Sequence, residues 1–182
     1  MTSPFTRRRW LAGGIATVAA VAGVGVAWQN GAAGSADAGE RLSPDFWAGH
    51  FDRPEGGVLD FAALKGKPLL LNFWATWCPP CIEELPMIDR FFNDHAANGW
   101  QVVGLAIDKP AAVQKFLVKT PVSFPIGLAG LEGTELVRNL GNDAGGLPFT
   151  LVVGGDGRVV ARKMGQLSST DLDAWRRAEL HS

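Results

Sequence analysis

At 182 residues the chain has room for one domain plus an extension, and 47% apolar residues with 23 Gly and 11 Pro make it globular and turn-rich rather than disordered. Seventeen basic residues stand against 18 acidic ones, and no basic cluster follows Arg9, which argues against a nucleic-acid partner. Only two cysteines occur, Cys78 and Cys81.

The N-terminus is set apart from the rest. Thr6-Arg7-Arg8-Arg9-Trp10-Leu11 leads into an uncharged run from Leu11 to Trp28, 18 residues mostly Ala, Val and Gly. Basic residues ahead of an apolar run hold the N-terminus in the cytoplasm and send the rest across the membrane. The Arg7-Arg8 pair with Trp10-Leu11 resembles a twin-arginine export signal, and the low hydrophobicity of the run suits one. The other reading is an anchor whose arginines supply only positive-inside charge, because the run approaches the ~20 residues that span a bilayer. Ala36-Asp37-Ala38 offers small residues for a cleavage site, and residues 30–39 read as a linker. The expected division is residues 1–38 as signal or anchor plus linker, and residues 39–182 as the folded domain. Both readings place that domain outside the cytoplasm, where disulfides persist.

Residues 46–64 carry short apolar pieces broken by Arg53-Pro54-Glu55-Gly56-Gly57, the pattern of a hairpin or of a strand with a turn. Residues 69–75 are nearly all apolar, as in a central strand buried on both faces. From 79 to 97, Ile82, Leu85, Ile88, Phe91 and Phe92 recur at the spacing of an amphipathic helix. A second buried strand is expected over 101–107, a short helix over 111–118, an extended piece over 124–127 and a helix over 132–140. Residues 149–153 and 159–162 form two strands around Gly154-Gly155-Asp156-Gly157, a hairpin signal. A last helix over 170–180 is capped by Ser168 or Ser169. The order β-α-β-α-β-α, then β-β-α, describes an α/β fold with parallel crossovers closed by an antiparallel hairpin.

Cys78-Pro79-Pro80-Cys81 falls between the first buried strand and the helix after it. A Cys-x-x-Cys pair at such a turn can shuttle between dithiol and disulfide. A structural zinc site needs four ligands, but no other cysteine exists and His50, His95 and His181 are scattered. Covalent haem attachment needs a His where Ile82 stands. As a staple, a four-residue loop restrains little chain entropy. No cofactor or metal is called for.

Phe73-Trp74-Ala75-Thr76-Trp77-Cys78-Pro79-Pro80-Cys81 with Pro86 resembles the thioredoxin active site. Gly146-Leu147-Pro148, then strand, Gly-Asp-Gly turn, strand and Gly165, resembles the thioredoxin C-terminal half. Leu64-Lys65-Gly66-Lys67-Pro68 leading into Asn72-Phe73-Trp74, together with Glu84-Leu85-Pro86, is similar to the extracytoplasmic TlpA, ResA and CcmG type of that superfamily. The resemblance covers about residues 46–180. It implies a thioredoxin-like fold: a mixed central sheet with flanking helices, an N-terminal β extension, and a central helix-strand insert over 110–127. It implies thiol–disulfide exchange, reducing disulfides of exported proteins such as apocytochrome c or an oxidase copper site. Electrons would come from a membrane protein of the DsbD/CcdA type. The N-terminal segment, if uncleaved, would contact the membrane.

By the same resemblance Cys78 is the nucleophile, and a helix start favours its thiolate through the macrodipole and free N–H groups. Cys81, one turn deeper, is the resolving thiol. Trp77, Pro79, Pro80, Leu147 and Pro148 would form the substrate surface, with Pro148 cis; Trp74 belongs to the core. Pro86 removes one helical bond and has no direct role. Asn72 departs from the pattern, since thioredoxin has a proton-accepting Asp there and an amide cannot take a proton. Glu84, one turn from Cys81, either replaces that base or merely complements the helix dipole, which is the reading for Glu83. Two rivals come from other classes. A thiol peroxidase would need Pro at Leu71 and Thr at Ala75. A copper-insertion chaperone would want Met or His beside the pair, and neither Met87 nor Met164 adjoins it.

Overall fold

The structure is a computed structural model that describes residues 39–179. The proposed signal or anchor over 1–38 lies outside the described residues. Among the described residues no helix is long and apolar enough to cross a membrane.

Seven strands form one mixed sheet in the order β2-β1-β5-β4-β3-β6-β7. They are β1 (His50–Asp52), β2 (Val58–Asp60), β3 (Leu69–Trp74), β4 (Gln101–Ala106), β5 (Ile126–Leu128), β6 (Phe149–Val153) and β7 (Val159–Met164). The helices are α1 (Pro44–Trp47), α2 (Pro79–His95), α3 (Pro110–Lys119), α4 (Gly133–Asn139) and α5 (Ser169–Glu179). β3, β4 and β5 run parallel, and β6 pairs antiparallel with β3 and with β7. The helix-strand insert is thus α3 and β5. The N-terminal hairpin does not join β3, its successor in the chain. It attaches to β5 through Asp52 opposite Leu128, which extends the sheet on the insert's side. α1 and a 3-10 turn at Phe61–Leu64 flank that hairpin, and neither was expected from the sequence.

β3 is buried along its whole length because both its faces are covered. Strand alternation divides it. Leu69, Leu71 and Phe73 pack with Trp47, Phe61, Val137 and Phe149 on one face. Leu70 and Trp74 pack with Cys81, Leu85, Ile88 and Leu172 on the other, so Asn72 also faces α2. Trp74 is wholly buried against Phe116, at a ring separation of 5.3 Å. Gly104 on β4 makes room for it: a Cβ there would come within 3.1 Å of the indole Nε1 and 2.7 Å of Ile126. α2 runs on through Pro86, whose missing N–H leaves the Ile82 carbonyl without its helical donor.

Candidate active site

The disulfide sits where β3 ends. Cys78 is the N-cap of α2 and is joined to Cys81, with Cα atoms 5.3 Å apart. Two prolines open the helix, so its first free N–H is that of Cys81. The Ile82 N–H is already bonded to the Cys78 carbonyl at 3.2 Å. Cys78 is 5% exposed and Cys81 is sealed. The turn that carries them instead presents Trp77, 63% exposed. Pro79 is exposed and Pro80 half-buried.

The Leu147–Pro148 peptide is cis. Leu147 is half-buried and Pro148 buried. Their loop is braced from two sides. Gly165 N–H donates to the Pro148 carbonyl at 2.9 Å, and the buried Asn142 amide donates to the Gly146 carbonyl at 2.8 Å. β6 pairs Phe149 with Phe73 and with Met164, so the loop lies at the level of the sheet where β3 gives way to the cysteine turn. Met164, 62% exposed, adds an apolar side chain to that end, and no sequence pattern pointed to it.

Beneath the pair lies a polar cluster in an apolar face. Glu84 is 1% exposed and beyond the first turn of α2, so it is no solvated dipole partner. Its Oε1 accepts from the Asn72 amide at 2.7 Å and its Oε2 from the Leu167 N–H at 2.7 Å. The Asn72 amide also donates to Thr150 Oγ1 at 3.1 Å, and its Oδ1 is buried without a partner. Burial pushes the Glu84 carboxyl above its ordinary range; the Leu167 and Asn72 donors and the charge of Lys163 only partly offset it. Lys163 is held by Asp171 at 2.6 Å. Burial works against Asp171 as well, but Lys163 and Ser168 outweigh it and hold its carboxyl low. Glu83, by contrast, is exposed and accepts only from Gln166 at 3.2 Å.

A second buried carboxylate, Asp108, approaches from the end of β4 and accepts from Thr76. Sequence reading did not single it out. Its position just past a buried parallel strand, where the sites of open α/β sheets gather, was the available signal. Among the described residues no group of three or more His, Cys, Asp or Glu could hold a metal.

A dithiol–disulfide pair at a helix start, beside an apolar rim and above a buried acid, is suited to exchanging disulfides with another polypeptide. The Redoxin family model matches residues 37–175, and the chain belongs to that family. It is 30% identical over 122 residues to the thiol-disulfide oxidoreductase ResA of a Bacillus cereus strain, covering 66% of this chain and 68% of that one. To ResA of Geobacillus kaustophilus it is 28% identical over 132 residues, 72% of each. Among solved structures, it resembles a thioredoxin family thiol:disulfide interchange protein of Chlorobium tepidum. The TM-score is 0.65 and the identity 28%, over 72% of this chain and 92% of that one. The fold is thioredoxin-like, and the protein is a thiol-disulfide oxidoreductase.

Proposed function

We propose that the protein works outside the cytoplasm as a reductant of disulfides in exported proteins. Cys78 attacks a substrate disulfide as thiolate, one substrate sulfur leaves, and a mixed disulfide forms. Cys81 then gives up its proton and attacks the Cys78 sulfur. The substrate departs as a dithiol and the Cys78–Cys81 bond closes, so two electrons pass to the substrate. Glu84 receives the Cys81 proton: a carboxyl raised by burial is closer in affinity to a thiol than an ordinary carboxylate is. Trp77, Leu147 and Pro148, with Pro79 and Pro80, form the surface along which the substrate chain lies. A membrane partner of the DsbD/CcdA type re-reduces the pair, and the N-terminal segment carries or anchors the domain across the membrane.

One observation supports the reading above others: the pair caps α2 with its inner cysteine sealed and its outer one at a rim crowned by exposed Trp77. In the full chain, Cys81→Ser is expected to accumulate a mixed disulfide with substrate on a non-reducing gel, and Cys78→Ser to trap none. Equal trapping by both variants sinks the assignment.

A further inference from the structure

Parallel pairing of β3 and β4 runs from Leu69 opposite Gln101 to Trp74 opposite Ala106. Its last backbone bond is Ile107 N–H to the Trp74 carbonyl at 2.8 Å. Beyond that rung β3 turns away to form the cysteine loop, and the Thr76 N–H has no strand to pair with. Asp108 takes the place of the missing rung. Its Oδ2 accepts from the Thr76 N–H at 3.0 Å and from the Thr76 hydroxyl at 2.5 Å, while its Oδ1 accepts from the Lys109 N–H at 2.7 Å. The residue is 7% exposed. A carboxylate placed there needs its donors, because a buried charge without partners is strongly disfavoured. The sequence supplies three donors to one group, and two of them come from the residue next to Trp77.

We propose that Asp108 is a positioning residue for disulfide exchange: its carboxylate clamps Thr76 from the neighbouring strand and so fixes the loop that carries Trp77 and Cys78. Burial alone would raise the carboxyl's pKa, but the Thr76 hydroxyl and the Lys109 and Thr76 N–H groups outweigh it and hold it below the ordinary carboxylate range. The clamp therefore stays ionised at neutral pH. The other backbone bonds of the Ala75-Cys78 turn, Cys78 N–H to the Ala75 carbonyl at 3.3 Å and Ile82 N–H to the Cys78 carbonyl at 3.2 Å, are local to the loop and the helix start and do not anchor it to the neighbouring strand. Asp108 supplies that anchor. A thiolate that must approach a disulfide in line with its S–S bond is sensitive to displacement; a shift near 1 Å can cost up to about a hundredfold in rate.

The inference rests on Cys78 being the attacking thiol, so Cys78→Ser is run in the same assay. The reduced full chain is mixed with a disulfide-containing protein, insulin, and the second-order exchange rate is read well below the melting transition of each variant. Thr76→Val, which removes the hydroxyl donor at nearly constant volume, is expected to slow exchange on the order of tenfold. Asp108→Asn is expected to slow it at least as much, because an amide keeps one acceptor oxygen and sets its N–H group against either the Thr76 donors or the Lys109 N–H. The double variant is expected to be no slower than Asp108→Asn alone, since the two side chains act as one unit. Thr76→Ser keeps the donor and recovers the rate lost in Thr76→Val, which a role in packing alone would not produce. Unchanged rates in Thr76→Val, additive losses in the double variant, or no recovery in Thr76→Ser would each overturn the clamp. If Asp108→Asn does not fold, the Thr76 pair still decides. Full activity in Cys78→Ser would instead overturn the nucleophile assignment, and is a separate outcome.

Discussion

Two buried carboxylates flank the cysteine pair, and their surroundings drive them in opposite directions. Glu84, under the pair, has one amide donor and one backbone N–H, and burial pushes its carboxyl up. Asp108, beside the loop, has three donors spread over both oxygens, and they outweigh burial so that its carboxyl is held low. The same functional group is thus pushed toward the protonated form in one place and held ionised in the other, which suits the proposed proton acceptor and the proposed anchor. Donor count and depth of burial decide which. Neither is a cation, so neither stabilises a Cys78 thiolate.

The largest expected effect concerns that last point. With Pro79 and Pro80 donating nothing and two acids nearby, the thiolate is less favoured than in a strong oxidant such as DsbA, at roughly −120 mV. A potential on the order of −230 to −280 mV is expected, read by Trp fluorescence in glutathione or dithiothreitol buffers. A value above about −180 mV would mean that a group outside this pair of carboxylates stabilises the thiolate, and would turn the reading toward a disulfide donor.

Next in size is the rate. Glu84→Gln keeps the shape of the side chain and removes the proton acceptor. Resolution of the mixed disulfide is expected to slow by roughly a hundredfold, the low end of general-base effects, with Cys78 alkylation no slower than in the parent. Undiminished turnover would reduce Glu84 to a structural partner of Asn72 and Leu167.

The smallest effect is on stability, and its sign separates the two acids. Glu84 has a folded pKa above its ordinary 4.5, so the native state holds more protons than the unfolded one between those values, and its contribution is lost as pH rises through that window. Asp108 has a folded pKa below its ordinary 3.8, so its contribution is present above that value and lost as pH falls through the folded pKa. Each unit of displacement is worth about 1.4 kcal/mol. Urea midpoints of the oxidised chain are therefore expected to favour Glu84→Gln over the parent increasingly as pH rises. They should penalise Asp108→Asn at neutral pH, and less in acid. Parallel profiles for the two variants would erase the distinction.

Most of the element order was legible because it rests on local signals. The apolar run of residues 69–75, the 3–4 spacing after Pro79 and the Gly-rich turn at 154–157 need no partner to be read. The helix start that holds the pair is likewise fixed by sequence, since Cys78-Pro79-Pro80 can open a helix and cannot continue one. Boundaries shifted where tertiary contacts set them: β5 occupies Ile126–Leu128, two residues later at its start than the apolar pattern suggested, because its partners are Gly104 to Ala106.

The sequence by itself determined the exchange chemistry, since two cysteines at that spacing and site leave few alternatives, and it determined that the acid thioredoxin carries at Asn72 is missing. Only the tertiary structure decided what surrounds Glu84 and what the cysteine loop is bonded to. Glu84 could be a solvated helix carboxylate or a buried acid, and what settled it was the packing of α2 on β3 and the return of Leu167 from the far end of the chain. Asp108 meets Thr76 across 32 residues, and β1 meets β5 across a longer gap. Such contacts depend on which strands become neighbours, and strand order is set by the burial of whole faces rather than by any local pattern.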